Sequence, residues 1–273
     1  MNRFVRLIAL LSMTFFLAVG CSTVPETGRR AFNFIPPSQE KAMGLTAFQK
    51  YKETRPVSNH PEYNAAVKRV ATRLTRVVDM PEAEWEFVVF EDESPNAFAL
   101  PGGKVGIHTG LFKVVQNDAQ LAAVVGHEIG HVIAHHGGQR LSRSLTVAGV
   151  GAVAAAAMNR SENVSDSQKL KILAAYGAGS TVGIILPHSR KQEIEADKLG
   201  VIYMARAGYD PREAVNLWVN FAEYKSKNGS PNIPDFLSTH PVDATRIREL
   251  EAYIPRVQDD YRRASVTRVA PTR

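Results

Sequence analysis

The feature that most constrains this chain is Leu121-Ala122-Ala123-Val124-Val125-Gly126-His127-Glu128-Ile129-Gly130-His131, which sets His-Glu-x-x-His inside a helical pattern. Residues four apart in a helix project from one face. His127 and His131 therefore offer two imidazole nitrogens to one metal ion. Glu128 stands beside them, close enough to hold the attacking water without ligating the metal. Zinc suits this set, because imidazole and carboxylate around a tetrahedral ion with one open position is its usual catalytic arrangement. Five letters recur by chance, so the apolar helical surroundings and an export signal ahead of them carry part of the argument.

A third ligand must come from elsewhere. An extended motif with Gly at 134 and His at 137 is absent, since Ala134 and Gly137 stand there, and this excludes the metzincin class. His135 follows one turn after His131, but a helix rises ~6 Å in four residues, which puts it out of reach of a shared ion. The better source is Gln192-Glu193-Ile194-Glu195-Ala196-Asp197 in a later helical stretch. Glu193 and Asp197 share a face: Glu193 can ligate, while Asp197 orients a ligand histidine through its other ring nitrogen. Glu195 points elsewhere and reads as a solvated charge.

Around this motif the pattern predicts helices over about 38–54, from Pro61 to Val78, over 189–207, over 211–225 and over 246–254. Strands are expected at 85–90, 96–100 and 105–109. The turn Pro101-Gly102-Gly103 makes the last two antiparallel. Asn117 or Asp118 caps the motif helix. Leu145 to Met158 is Ala-, Val- and Gly-rich and uncharged; it is too short to span a membrane and reads as a buried helix or helical hairpin over the active site. Ser161 to Ser167 is a polar break. With hydrophobic residues at 44% and charged residues at 22%, a sizeable core is available and wholesale disorder is excluded.

Residues 1–20 read as a secretory signal: Arg3 and Arg6, then the apolar run Leu7 to Val19, then Gly20. Cys21, the single cysteine, sits at the cleavage point and cannot form an internal disulfide. The stretch Leu17-Ala18-Val19-Gly20-Cys21 resembles a bacterial lipobox, with Ala18 where Leu is more usual, and implies lipidation at Cys21. Ser22 after it favours sorting to the outer membrane. The expected organisation is a lipoprotein signal peptide (1–20), a tether (21–37), a zinc metallopeptidase domain (38–257) and a mobile C-terminal tail (258–273). A formal net charge of +6, of which the signal holds two arginines, is too mild and too evenly spread to imply nucleic acid.

Four ordered motifs carry a resemblance. They are Asn96-Ala97-Phe98-Ala99-Leu100-Pro101-Gly102-Gly103, Gly126 to His131, Ser189-Arg190 with Glu193 to Asp197, and Ser238-Thr239-His240-Pro241 with Arg246. Over about 38–254 the chain resembles the gluzincin zinc metallopeptidases of the HtpX and CaaX-prenyl-protease family. Within it the chain is most like the short, LoiP-like and BepA-related periplasmic lipoprotein proteases. The resemblance includes neither the helical-repeat domain of BepA nor the membrane spans of HtpX. It implies an α+β, mostly helical zincin-like domain with a small antiparallel sheet beside the active-site helix. It also implies one zinc ion per chain, with Glu193 as third ligand.

The implied reaction is endoproteolysis by water attack with Glu128 as general base. The implied setting is quality control of misfolded or unassembled proteins in the bacterial envelope, on the periplasmic face of the outer membrane. The lipid anchor, unfolded envelope polypeptides, and outer-membrane assembly machinery or other envelope proteases would be the partners. His240 is open to three readings: oxyanion donor, fourth zinc ligand, or loop cap before Pro241. Arg246 is open to pairing with Asp197, substrate binding, or a surface role. The strand from Phe98 to Thr109 can take a substrate segment as an added strand, with Asn96, Phe98, Leu100, Gly102 and Gly103 as candidate contacts. The alternative function is a non-catalytic outer-membrane assembly factor or chaperone using the same strand. Glu128 argues against it, because a structural metal site has no need of that carboxylate.

Overall fold

The computed structural model describes residues 21–159, 186–228 and 244–269, together with 165, 167, 168, 171, 236, 240 and 241. The signal at 1–20, most of the break at 161–167 and Ser238-Thr239 lie outside the described residues. The chain divides into two compact units, one of Ser38–Ala134 with Lys191–Arg273 and one of Met1–Pro37 with His135–Arg190. No helix among the described residues is long and apolar enough to cross a membrane.

The second of these units begins with a hairpin, β1 (Cys21–Thr23) against β2 (Arg30–Phe32), antiparallel with Cys21 opposite Phe32. The segment expected as a tether is thus folded. Arg29 Nη2 donates to Gln139 Oε1 at 3.1 Å, and the Phe34 amide donates to Ser142 Oγ at 3.1 Å.

The metal motif belongs to the larger unit. Helices α1 (Pro37–Thr54) and α2 (Pro61–Thr75) start at prolines, whose missing N–H costs nothing in a first turn. Three strands follow: β3 (Glu86–Phe90), β4 (Ala97–Leu100) and β5 (Lys104–His108). Their order is β3-β5-β4, with β4 antiparallel and β3 parallel to β5. The sheet is therefore mixed rather than purely antiparallel. β5 is its centre, so only the β4 part of the expected edge strand is an edge. Gly102 and Gly103 turn the β4–β5 hairpin at φ +86° and +87°, a region that side chains with a Cβ avoid. Thr109 leaves the strand and opens a 3₁₀ turn, Thr109–Lys113.

Helix α3 (Asp118–Ile133) is capped by Asn117, whose side chain accepts from the Gln120 amide at 2.9 Å. Every residue from Gln120 to Ile133 is buried. A helix apolar on nearly all faces has no solvent side and takes the centre of the unit. It ends before His135, whose backbone is left-handed at φ 52°, so His135 is not on the motif face.

From there α4 (His136–Asn159) runs much further upstream than expected. Leu145, Val150 and Val153 on it are 48%, 53% and 72% exposed, which corrects the buried reading. Its Ala and Gly positions offer little area to bury. The larger unit closes with α5 (Leu186–Arg206), α6 (Glu213–Asn228), α7 (Ala244–Tyr253), a 3₁₀ turn and α8 (Gln258–Val269). The expected mobile tail is helical over Gln258–Val269. Its polarity reflects an exposed helix, with Arg262 and Arg263 paired to Asp259 and Asp260 one turn back.

Candidate metal centre

Two helices bring the donors together, and small residues let them approach. A Cβ on Gly200 of α5 would lie 3.0 Å from the His127 amide nitrogen. One on Gly130 of α3 would lie 3.0 Å from the Ala196 carbonyl oxygen. Both distances are tighter than ordinary van der Waals contact, so larger residues would push α5 off the motif helix. This crossing sets Glu193 and Asp197 over His127 and His131.

His127 Nε2 and His131 Nε2 lie 3.1 Å apart. Glu193 Oε2 is 3.3 Å from His127 Nε2, and Oε1 is 3.4 Å from His131 Nε2. His240 completes the group, with Nδ1 at 2.9 Å from Glu193 Oε2 and 3.2 Å from His127 Nε2. One donor atom from each of these four buried residues lies within 4.8 Å of the others. His240 is held there by its amide, which donates to the Phe236 carbonyl at 2.7 Å. The Phe236 amide in turn reaches Pro95 O at 3.2 Å. The Phe236 ring packs between those of Phe221 and His240, at 5.0 and 4.7 Å.

Behind the donors is a buried ion network. Asp197 Oδ1 accepts from His127 Nδ1 at 2.9 Å. This turns Nε2 toward the other donors, the orientation a ligand histidine needs. Arg246 bonds both Asp197 oxygens, donates to Pro241 O and reaches Glu193 Oε2 at 3.2 Å. Its guanidinium lies over the Trp218 ring at 4.8 Å. Of the three readings of Arg246, pairing with Asp197 is the one observed.

The electrostatics follow. Burial pushes the His127 imidazole toward neutrality, but Asp197 and Glu193 outweigh it and raise it to about 9. Burial likewise disfavours ionised Glu193, yet hydrogen bonds from His127, His131 and His240 hold it far below the carboxylate range. Asp197 is held down against burial chiefly by Arg246 and then by His127. The carboxylates stay charged around a His127 that holds its second proton, and a bound divalent cation of zinc's preferences would displace that proton and take Nε2 as a ligand.

Glu128 is 1% exposed, and its Oε1 has no hydrogen-bond partner among the described residues. The nearest polar group in an ion-pair relation is His240 Nε2 at 3.4 Å. A buried oxygen left in this way beside the donor cluster is poised to receive a proton from a molecule placed there.

The other expected site residues fall differently. Glu195 is 5% exposed, so it is not a solvated charge, and it is not one of the four donors. Phe98 packs against Phe48, Tyr51 and Phe90 and lies over Gly106 of β5, so its ring belongs to an aromatic cluster. Gly102 and Gly103 shape the hairpin turn and pack near Lys41 and Trp85. Asn96 O accepts from the His108 amide, while its side-chain oxygen is buried without a partner among the described residues. Leu100 ends β4, the sheet edge that packs against α3.

The helix crossing is not legible from the motif alone, although Gly126, Gly130 and Gly200 are a signal for it. Nor is the role of Gln120, whose side chain joins Gln116, Asn220 and Glu213 beneath the motif helix.

Comparison with known proteins gives the same picture. The model of peptidase family M48 matches residues 61–254. The chain is 34% identical over 239 residues to the mitochondrial metalloendopeptidase OMA1 of Schizosaccharomyces pombe, covering 86% of this chain and 67% of that one. It is 32% identical over 189 residues to the protein of the same name from Saccharomyces cerevisiae, covering 65% and 49%. It is 27% identical over 235 residues to the beta-barrel assembly-enhancing protease of Escherichia coli (strain K12), covering 85% and 47%. The chain thus spans about half the length of the latter two relatives.

Proposed function

This chain belongs to peptidase family M48, a family of zinc metalloendopeptidases, and we propose that it cleaves misfolded or unassembled proteins of the bacterial cell envelope. The observation that carries the catalytic part is Glu128 Oε1, buried and without a hydrogen-bond partner among the described residues, beside four converging donors. His127, His131 and Glu193 would hold a zinc ion, whose Lewis acidity would acidify water and polarise the scissile carbonyl.

The chain's own residues do the rest. Glu128 takes the proton of the attacking water and passes it to the leaving amine. Asp197 keeps the His127 ring in the ligating tautomer, and Arg246 balances the charge of Asp197 and Glu193. On this reading His240 donates to the developing oxyanion. β4, at the sheet edge against α3, offers an extended substrate a strand to pair with; Asn96 precedes it and Leu100 ends it.

The envelope setting rests on the lipobox-like stretch ending at Cys21 and on the printed name of the Escherichia coli relative. On this reading the protein is lipid-anchored at the periplasmic face of the outer membrane and works beside the outer-membrane assembly machinery or other envelope proteases. Zinc content and casein cleavage, measured on wild type and Glu128→Gln, test the catalytic reading. Equal cleavage by a zinc-loaded Glu128→Gln protein would overturn it. Cys21→Ser tests the anchor: wild type should partition with membranes and the variant should not.

A further inference from the structure

The sheet has a second edge, on β3, remote in the strand order from β4. β3 pairs with β5 through Glu86, Val88 and Phe90; the Glu86 amide, for example, donates to Gly103 O. Alternation along a strand turns the N–H and C=O of Phe87 and Val89 the other way. Val89 O is taken by the Ser58 amide, and Val57 bridges Phe90. That short pairing stops there, because the chain turns away into α2 at Pro61. The outward N–H and C=O of Phe87 have no hydrogen-bond partner among the described residues. β3 carries no proline or lysine, the usual guards of an exposed edge.

Beside this open pair lies a groove of about 410 Å³, between β3 and α2. Trp85 and Phe87 form one wall, their rings parallel and 6.0 Å apart. Val67 and Ala71, both buried, line it from α2 together with Thr72 and Thr75. We propose that this edge and groove form a second polypeptide-binding site, which takes an extended segment of a protein substrate as an added strand paired with Phe87. The inference rests on the peptidase reading for the identity of its occupant.

Two observations select that occupant. The site offers a single outward backbone pair and eight lining residues, whereas a stable dimer needs about 20–30 residues a side. A free segment fits this footprint and a second copy does not. Lys68 is the one charged group in the lining and has no ion-pair partner among the described residues, so a segment with an acidic residue near the paired stretch is favoured. Backbone pairing makes the site tolerant of sequence, as a binder of unfolded chains must be.

The test uses zinc-loaded, full-chain protein carrying Glu128→Gln, and fluorescein-labelled, reduced and carboxymethylated lactalbumin as the unfolded, acidic probe. Phe87→Pro deletes the outward N–H without touching the bonds to β5, and Thr72→Trp fills the groove from α2. Each should weaken probe binding, read by anisotropy, about tenfold or more. In the Glu128 background, either variant should leave cleavage of an eight-residue fluorogenic peptide unchanged. Wild-type-like probe affinity in both variants overturns the proposal, and if Phe87→Pro does not fold, Thr72→Trp decides alone. A wild-type dimer that Thr72→Trp turns into a monomer also overturns it, since the occupant would then be a second copy. A protein that binds the probe at this groove but cleaves nothing sinks the peptidase reading and leaves the site standing.

Discussion

Arg246 grips Asp197 through two hydrogen bonds, Nε to Oδ2 and Nη2 to Oδ1, both 2.9 Å long, with the arginine only 1% exposed. Two parallel bonds of this kind fix the carboxylate plane as well as its charge. Asp197 in turn fixes the His127 ring. On the proposed reading Arg246 is therefore a positioning residue for a metal ligand. Arg246→Leu should lower zinc affinity ~10–100-fold, the usual cost of removing a ligand's outer partner. It should also destabilise the fold by ~3–5 kcal/mol, because it strands a buried carboxylate. Chelator competition and urea unfolding measure the two effects, and unchanged zinc affinity would show that Asp197 orients His127 without help.

Glu193 and Glu195 are two residues apart on α5 and both buried, yet only Glu193 is among the donors. Glu193→Ala should lose bound zinc and Glu195→Ala should keep it. Because Glu195 is buried, its replacement should still cost stability, on the order of 1–3 kcal/mol from the partners it leaves unpaired. Metal analysis of the two purified variants checks this, and zinc retained in Glu193→Ala would mean that the wrong carboxylate had been assigned.

The crossing of α3 and α5 makes a contrasting pair of glycine substitutions informative. Gly200→Ala places a methyl 3.0 Å from the His127 amide, while Gly149→Ala meets nothing within 4 Å. The first should cost about 1–3 kcal/mol through overpacking and reduce peptidase activity by shifting Glu193 away from the histidines. The second should be neutral or stabilising by up to ~1 kcal/mol, since alanine outperforms glycine inside a helix. Thermal melts and peptide hydrolysis on both variants test the comparison, and equal behaviour would deny the crossing its role.

Residues that act through local spacing were the legible ones. His127, His131, Glu193 and Asp197 follow from a four-residue period on two helices, and Gly102-Gly103 announced its turn. Contacts between distant segments were less accessible. Nothing in the letters around Glu195 says that α5 is covered on that side, and a carboxylate beside Lys198 reads as solvated until packing is known. The segment 21–37 has the composition of a linker, yet three-residue strands and bonds to Gln139 and Ser142 order it. Such short strands leave almost no periodicity to detect. The parallel pairing of β3 with β5 was also hidden, because alternation reports which way side chains point and not which neighbour a strand selects.

His240 Nδ1 meets Glu193 and His127 while Nε2 faces Glu128, so both ring nitrogens look into the reaction site. As an oxyanion donor it should be needed for turnover. His240→Ala should then lose about 10²–10³ in kcat while retaining zinc. Steady-state kinetics on a short peptide, with zinc content measured in parallel, provide the check. A rise in kcat would instead identify His240 as a resting ligand that closes the site.

Glu213 ties the first turn of α6 to the start of the motif helix. Its Oε2 accepts from Asn117 Nδ2 at 3.1 Å and Gln120 Nε2 at 2.9 Å, and its Oε1 accepts from Asn216 Nδ2 at 2.8 Å. Burial opposes its ionised form, but these three donors prevail and hold the carboxyl below its ordinary 4.5. A carboxyl depressed on folding contributes stability that is fully present above the unfolded value and lost as pH falls through the folded one. Partial exposure screens the effect and keeps it under about 1 kcal/mol. Glu213→Gln removes the titrating group but leaves an amide oxygen for at least one donor. The wild-type urea midpoint should therefore drop more steeply than that of Glu213→Gln as pH is lowered from about 6 to about 3. The two curves should converge at the acid end, where the wild-type carboxyl has taken up its proton. Parallel curves across the whole range would mean that the link between α6 and the cap of the motif helix carries no pH-dependent stability.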